Sequence, residues 1–331
     1  MKALVTGGGG FLGSAIVRRL VARGDTVRTF QRGQYPELDT LGVESIRGDL
    51  TDYVAVKKAV CDIDVVFHVA AKAGVWGRYR DYHASNVVGT RNTLEAASGA
   101  GVAKFVFTSS PSVVFDGSDE NGITEAVSYP GKYLAYYPRT KAEAEKRVLA
   151  ASSPTFATIA LRPHLLWGPG DPHLVPRIVS RAKSGRLRLI GDGQNLVDST
   201  YIDNAADAHL LAADHLFPGA PCAGKAYFLS NGEPLPMAEL LNRILAAARM
   251  PPLTRSISAR KAYVAGAAME CVYRMLNLKS EPLLTRFIAR QLSTAHWFDL
   301  TAIRRDLGYH PEVSIDEGMR RLAESLRSGT Q

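Results

Sequence analysis

Short apolar runs alternate with longer stretches of helical spacing through the first half of the chain. Residues 2–6 are apolar, end in glycines and read as a buried strand. Residues 11–23 repeat Leu12, Ile16 and Leu20 at helical spacing, and Gly24 ends the run. Residues 26–30 and 43–47 read as the next two strands, and Thr51 or Asp52 is placed to cap a helix running through Val60. The β-branched run 64–70 predicts a strand, 83–100 a helix, 104–109 a strand, 136–151 a helix rich in Ala, Glu and Lys, and 155–161 a strand. Strands alternating with helices imply parallel pairing through right-handed crossovers. The expected fold class is α/β, a doubly wound parallel sheet with a smaller, mostly helical C-terminal substrate domain.

The texture changes after Arg162-Pro163. A glycine- and proline-rich loop at 168–172 precedes a basic helix at 175–184, an alanine-rich helix at 205–215 and another strand of the sheet at 225–230. The expected division is a cofactor-binding unit at 1–170, with a later return near 196–230, and a substrate-binding region at 171–331. On the helix expected at 262–278, Tyr263, Gly266, Glu270, Arg274 and Asn277 share one face and the rest is apolar. Glu270 and Arg274 form an i,i+4 pair. Such a helix covers the core as a lid, or offers a face to a membrane surface or a partner.

Composition narrows the class. The chain has 331 residues, 46% of them hydrophobic, enough for a large core without covalent staples. Cys61, Cys222 and Cys271 are far apart and form no CxxC, which argues against a disulfide framework or a zinc site and suits reduced thiols in the cytoplasm. The start lacks the apolar stretch of an export signal, and no segment is long and apolar enough for a membrane span. Lys+Arg 40 against Asp+Glu 32 gives +8, spread along the chain without a charge block. That spread favours an anionic cofactor or substrate over nucleic acid.

Candidate chemistry begins at Thr6-Gly7-Gly8-Gly9-Gly10-Phe11-Leu12-Gly13, between the first strand and the first helix. Gly7 permits a tight turn, Gly10 lets backbone approach a pyrophosphate, and Gly13 lets helix pack on strand, with the helix N-terminus facing the phosphates. Phe11 and Leu12 complete this surface. The second strand ends Thr29-Phe30-Gln31-Arg32-Gly33, with Arg32 and no carboxylate where an acid would meet a ribose hydroxyl. An arginine there pairs a 2′-phosphate, so NADP(H) is the expected cofactor. Asp49 and Leu50 suit the adenine edge, and Ala70 and Ala71 let backbone lie along the dinucleotide.

Tyr137 and Lys141 stand at i and i+4, on one helix face. An ammonium beside a phenol lowers the phenol pKa, so Tyr137 is the expected proton-transfer group. Ser110, at the carboxyl end of a strand, can hold a substrate oxygen, and Asn86 is expected to kink its helix and anchor a water.

The glycine turn with Tyr137-x-x-x-Lys141 resembles the extended branch of the short-chain dehydrogenase/reductases. The resemblance covers nearly the whole chain. It implies Ser110, Tyr137 and Lys141 as a catalytic triad with Asn86 as a fourth member. Lys141 would also hold the nicotinamide ribose, and Pro163 and Leu166 would line the nicotinamide. Two serines after Thr108 speak against sugar-nucleotide dehydratases, and 162–171 departs from the epimerase pattern and looks like the 3β-hydroxysteroid dehydrogenase-like branch. Segments 71–77, 110–113, 198–204, 284–287 and 296–298 are similar to a bacterial family, the 2-alkyl-3-oxoalkanoate reductases of long-chain olefin biosynthesis. That resemblance implies a long-chain lipid-like substrate, sibling pathway enzymes as partners, a homo-oligomer, and peripheral membrane contact at most. The expected pocket is apolar-rimmed, from Val75, Trp76, Ser112, Trp167 and Tyr201. Alternatives are a steroid or sterol substrate and a non-catalytic NADP(H) sensor, although sensors typically lose the Tyr or the Lys.

Overall fold

Seven parallel strands form the central sheet of the structure, a computed structural model that describes residues 1–329. They are β1 (Lys2–Thr6), β2 (Thr26–Gln31), β3 (Glu44–Arg47), β4 (Val65–His68), β5 (Lys104–Thr108), β6 (Ala157–Pro163) and β7 (Lys225–Leu229), in spatial order β7-β6-β5-β4-β1-β2-β3. The reversal beside β1 is the switch point of a doubly wound sheet, where the carboxyl ends of β1 and β4 leave a crevice for a ligand.

Alternation along the strands builds a core on each face. Ala3, Val5, Phe67 and Ile159 pack with Leu12, Ile16 and Leu20 of α1 (Phe11–Ala22). Leu4, Val66, Phe105 and Phe107 pack on the other side with Val56 of α2 (Tyr53–Ala59), Leu94 of α3 (Gly89–Gly99) and Val148 of α4 (Tyr136–Ala150). Asp52 caps α2 by accepting from Val54 and Ala55. The alanine-rich helix, α5, runs Ile202–His215 on the first face.

The expected helix at 83–100 is two pieces. His83–Val88 is π-helical and passes into α3 at Gly89. Such wide turns aim a side chain that a regular helix would aim elsewhere, and here the side chain is Asn86. The later part of the chain is less purely helical than its pattern suggests. His296–Phe298 pairs with Glu120–Ile123 and Leu196–Val197, and Leu196–Val197 also pairs with Leu235–Pro236, in a small mixed sheet that ties 120–123 to the C-terminal half.

The helix expected at 262–278 is α6, Ala259–Met275, and its amphipathicity is inverted. Gly266 and Glu270 face inward: a Cβ on Gly266 would lie 2.7 Å from the Thr285 backbone. Glu270 is buried, accepts from the Arg286 backbone N–H at 2.7 Å and pairs with the Arg286 guanidinium at 2.8 Å; the expected Arg274 contact is also present, at 3.3 Å. Several larger apolar side chains are outside, with Val264 61% and Met275 79% exposed. No helix among the described residues is long and apolar enough to cross a membrane.

Candidate active site

The glycine turn is built as its spacing requires. Gly7 has φ +70°, and a Cβ there would lie 3.0 Å from the Ala70 backbone. A Cβ on Gly13 would fall 2.1 Å from the Gly7 carbonyl oxygen. These close approaches leave a cavity of about 480 Å³ at the carboxyl ends of the strands. Gly7, Gly10, Phe11, Leu12, Gly13, Arg32, Asp49, Leu50, Ala70, Ala71, Leu166, Tyr137 and Lys141 all line it. Pro163 does not; it ends β6, buried and paired with Leu229.

Asp49 accepts from the Thr51 backbone N–H at 2.9 Å and the Thr51 hydroxyl at 2.8 Å. The backbone bond, with Arg32 nearby, holds this carboxyl below its usual range. Several lining residues escaped the sequence reading. Tyr35 lies against Gly9 and Gly33, and Gln31, Ser85, Ser109 and His173 also reach the cavity. The one signal for Tyr35 is its place two residues after Gly33, just past Arg32. Gln31 Oε1 and Ser109 Oγ are buried here without a hydrogen-bond partner. A buried polar atom left unpaired is costly, so both suit the hydroxyls and amides of a dinucleotide.

Tyr137 sits in the first turn of α4, with the Ser110 hydroxyl among the groups that act on its phenol. Ser110 caps the short turn Pro111–Val113, and its Oγ lies 2.9 Å from Ser112 Oγ. Burial raises the Tyr137 phenol above its ordinary value, opposed by the nearby Ser110 hydroxyl. The expected lowering by Lys141 is absent. The Lys141 ammonium turns instead to the Thr108 carbonyl at the end of β5 and rests 3.9 Å from the Phe107 ring centroid. Burial pulls Lys141 down to about 7, with Glu145 opposing.

That value has a measurable consequence. Unfolded lysine keeps its proton up to about 10.5, so above pH 7 the unfolded chain binds more protons than the folded one and stability rises with pH. We expect K141M to lose its pH-dependent term. In thermal melts of ligand-free protein, the variant should gain on wild type as pH falls from 9 to 6. A pH-independent difference between the two would contradict a buried ammonium.

The Asn86 side-chain amide is engaged with protein groups. Its Oδ1 accepts from the Lys72 backbone N–H at 2.7 Å, and its Nδ2 donates to the Lys72 carbonyl at 3.1 Å and to Thr140 Oγ1 at 3.0 Å. Every polar atom of the amide is used. Asn86 therefore ties the segment after β4 to the helix that carries Tyr137 and Lys141.

A second cavity, about 1230 Å³, is lined by Val75, Trp76, Tyr79, Tyr133, Tyr136 and Tyr273 among others, with seven cations that include Lys72, Arg139 and Arg274. Val75 and Trp76 were expected there, but three other expected residues are elsewhere. Trp167 is wholly buried core: its ring meets Tyr201 edge-on at 5.3 Å and its Nε1 donates to Ser199. Tyr201 is equally buried, because Gly318 lets a late helix close over both rings. Ser112 is buried beside Ser110 and supports it. The pocket is aromatic and cationic, where an apolar rim was expected.

The model of the 3-beta hydroxysteroid dehydrogenase/isomerase family matches residues 4–255. The chain belongs to that family. A 2-alkyl-3-oxoalkanoate reductase of Stenotrophomonas maltophilia (strain K279a) is 55% identical over 327 residues, 98% of this chain and 99% of that protein. A sterol-4-alpha-carboxylate 3-dehydrogenase, decarboxylating, of Mus musculus is 34% identical over 330 residues, 98% of this chain and 91% of that protein. Among solved structures, MoeE5 in complex with UDP-glucose and NAD is similar with a TM-score of 0.77 and 25% identity, covering 100% of both chains. This family member is an oxidoreductase acting on CH–OH or C=O groups, and its cofactor is a nicotinamide dinucleotide.

Proposed function

We propose that this chain reduces the 3-keto group of a long-chain 2-alkyl-3-oxoalkanoate to the 3-hydroxy acid, with NADPH as reductant. The observation that carries the reading is that Tyr137 and Lys141 line the glycine-lined cavity together, on the helix whose first residue, Tyr136, lines the larger aromatic cavity. Bound in the first cavity, the reduced nicotinamide supplies a hydride to the 3-keto carbon. Tyr137 gives the proton to the oxygen, and Ser110 holds that oxygen. A phenol raised by burial stays protonated at neutral pH, the state a proton donor needs. Lys141, drawn down to about 7 by burial, exchanges its own proton near neutral pH beside Tyr137, and Asn86 keeps both walls in register.

The names of the two relatives support the substrate class. Each places a carboxylate on the carbon next to the one that reacts. The exposed apolar residues of α6 stand beside the mouth of the larger cavity, where Tyr273 and Leu278 line it. They suit a lipid-like substrate and transient contact of a cytoplasmic homo-oligomer with membrane lipid or with the enzymes that make and consume its substrates. Residues 1–170, with the return at 196–230, form the cofactor unit in this reading, and 171–331 the substrate unit.

The preference for NADPH rests on Arg32, exposed at the carboxyl end of β2 with no carboxylate paired to it among the described residues. R32E should raise KM for NADPH on the order of 10- to 100-fold through the lost phosphate contact and leave NADH nearly unchanged. Equal effects on both cofactors would remove the NADP assignment. The function itself is tested by oxidation of a stable 2-alkyl-3-hydroxyalkanoate with NADP⁺, beside a sterol carboxylate and a UDP-sugar. Turnover confined to the sterol would replace the substrate and keep the chemistry.

A further inference from the structure

The two cavities share a wall, the segment that follows β4. Val69, Ala70, Ala71 and Ala73 line the cofactor cavity, whereas Lys72, Val75 and Trp76 line the larger one. Lys72 is therefore flanked by residues of the cofactor side and belongs itself to the substrate side. Its backbone N–H and carbonyl are both held by Asn86, whose amide also reaches Thr140, three residues after Tyr137. The lysine is thereby fixed relative to the catalytic helix. Its ammonium lies 5.3 Å from the ring centroid of Tyr82.

Carboxylates in and around this cavity already have arginine partners. Glu270 pairs with Arg286 at 2.8 Å, Glu281 with Arg177 at 3.1 Å, and Asp81 with Arg80 at 3.5 Å. Among the described residues, none pairs with Lys72. Arg78, Lys132, Arg139 and Lys279 also line the cavity with no carboxylate paired to them among the described residues, and of these Arg139, over the Tyr79 ring at 4.8 Å, is the one on the catalytic helix. However, Arg139 follows Tyr137 by two residues, about 200° around the helix, and so projects away from the reacting group. A lysine without a counter-ion, braced by a buried amide at the seam between cofactor and substrate cavities, needs an anion from the ligand.

The geometry points to Lys72 as the residue that receives the substrate carboxylate, in a subsite at this seam. The inference rests on the function proposed above, since a 3-oxoalkanoate carries its carboxylate one carbon from the keto group. Lys72 fixes which end of the molecule meets Tyr137, sends the alkyl chains along the aromatic wall, and selects acids over ketones and esters.

The test compares a 2-alkyl-3-hydroxyalkanoate with its methyl ester, oxidised with NADP⁺ by wild type, K72M, K72R and R139M. Wild type should prefer the acid. K72M should lower the acid-to-ester ratio of kcat/KM roughly 10- to 100-fold, the worth of one charged hydrogen bond. K72R should restore most of that ratio, and R139M should leave it in place. Lys72 acting only through folding would lower acid and ester together, and that result, or an unchanged ratio in K72M, overturns the subsite. Wild type that oxidises neither compound overturns the proposed function and the subsite with it, whereas wild type active on the acid with an unmoved K72M ratio overturns the subsite alone.

Discussion

Replacing Tyr137 with phenylalanine is expected to lower kcat on the order of 10²- to 10⁴-fold while the dissociation constant for NADPH stays within a small factor of wild type. The magnitude is that of a positioned general acid. The change removes one oxygen from a ring in the first turn of α4 and leaves its packing intact. Ser110 would keep its contact with Ser112, so the local turn should survive. The measurement is steady-state turnover beside titration of NADPH by fluorescence. Loss of both turnover and cofactor binding would assign Tyr137 a structural role. Retention of turnover would move the proton donor elsewhere.

The largest stability effect is expected at Glu145, one turn beyond Lys141 on the same helix. Its carboxylate meets the Arg162 guanidinium through two hydrogen bonds, at 2.7 and 3.0 Å, and accepts from the Tyr129 hydroxyl at 2.6 Å. Both charged side chains are almost wholly buried. E145Q leaves Arg162 charged and uncompensated in the interior, which costs about 3–5 kcal/mol. It also removes the charge that supports the Lys141 ammonium, so Lys141 should titrate lower still. Denaturant unfolding of ligand-free protein reads the first effect. A loss under about 1 kcal/mol would mean that water or relaxation reaches Arg162.

Local features of the chain carried most of the cofactor side. The glycine turn, Arg32, Asp49 and Ala70 stand at strand ends, and a strand end is a position that period and turn chemistry locate without knowledge of distant contacts. The substrate side was less legible because segments far apart in sequence build it. Trp167 and Tyr201 look like pocket aromatics until Gly318, more than a hundred residues later, lets a helix close over them. Glu270 and Arg274 read only as part of one polar face of a covering helix, and it takes Arg286, far along the chain, to pair the buried Glu270 carboxylate and turn that face inward. The Tyr137–Lys141 spacing correctly placed both residues at one cavity. It could not show that the ammonium prefers the Thr108 carbonyl, since that choice depends on β5. Asn86 was singled out, but its role as a tie between Lys72 and Thr140 needed the π-helical turn, which no periodicity announces.

The central claim is that this protein moves a hydride from NADPH to the 3-carbon of a 2-alkyl-3-oxoalkanoate. The most direct measurement uses NADPH deuterated at the transferable nicotinamide C4 position, with a long-chain 2-alkyl-3-oxoalkanoate and mass analysis of the product. The account predicts a 2-alkyl-3-hydroxyalkanoate carrying deuterium at carbon 3, formed faster with NADPH than with NADH. Recovery of unreduced substrate or its decarboxylated ketone alone, with no label transferred and a sterol or UDP-sugar turned over instead, would contradict it.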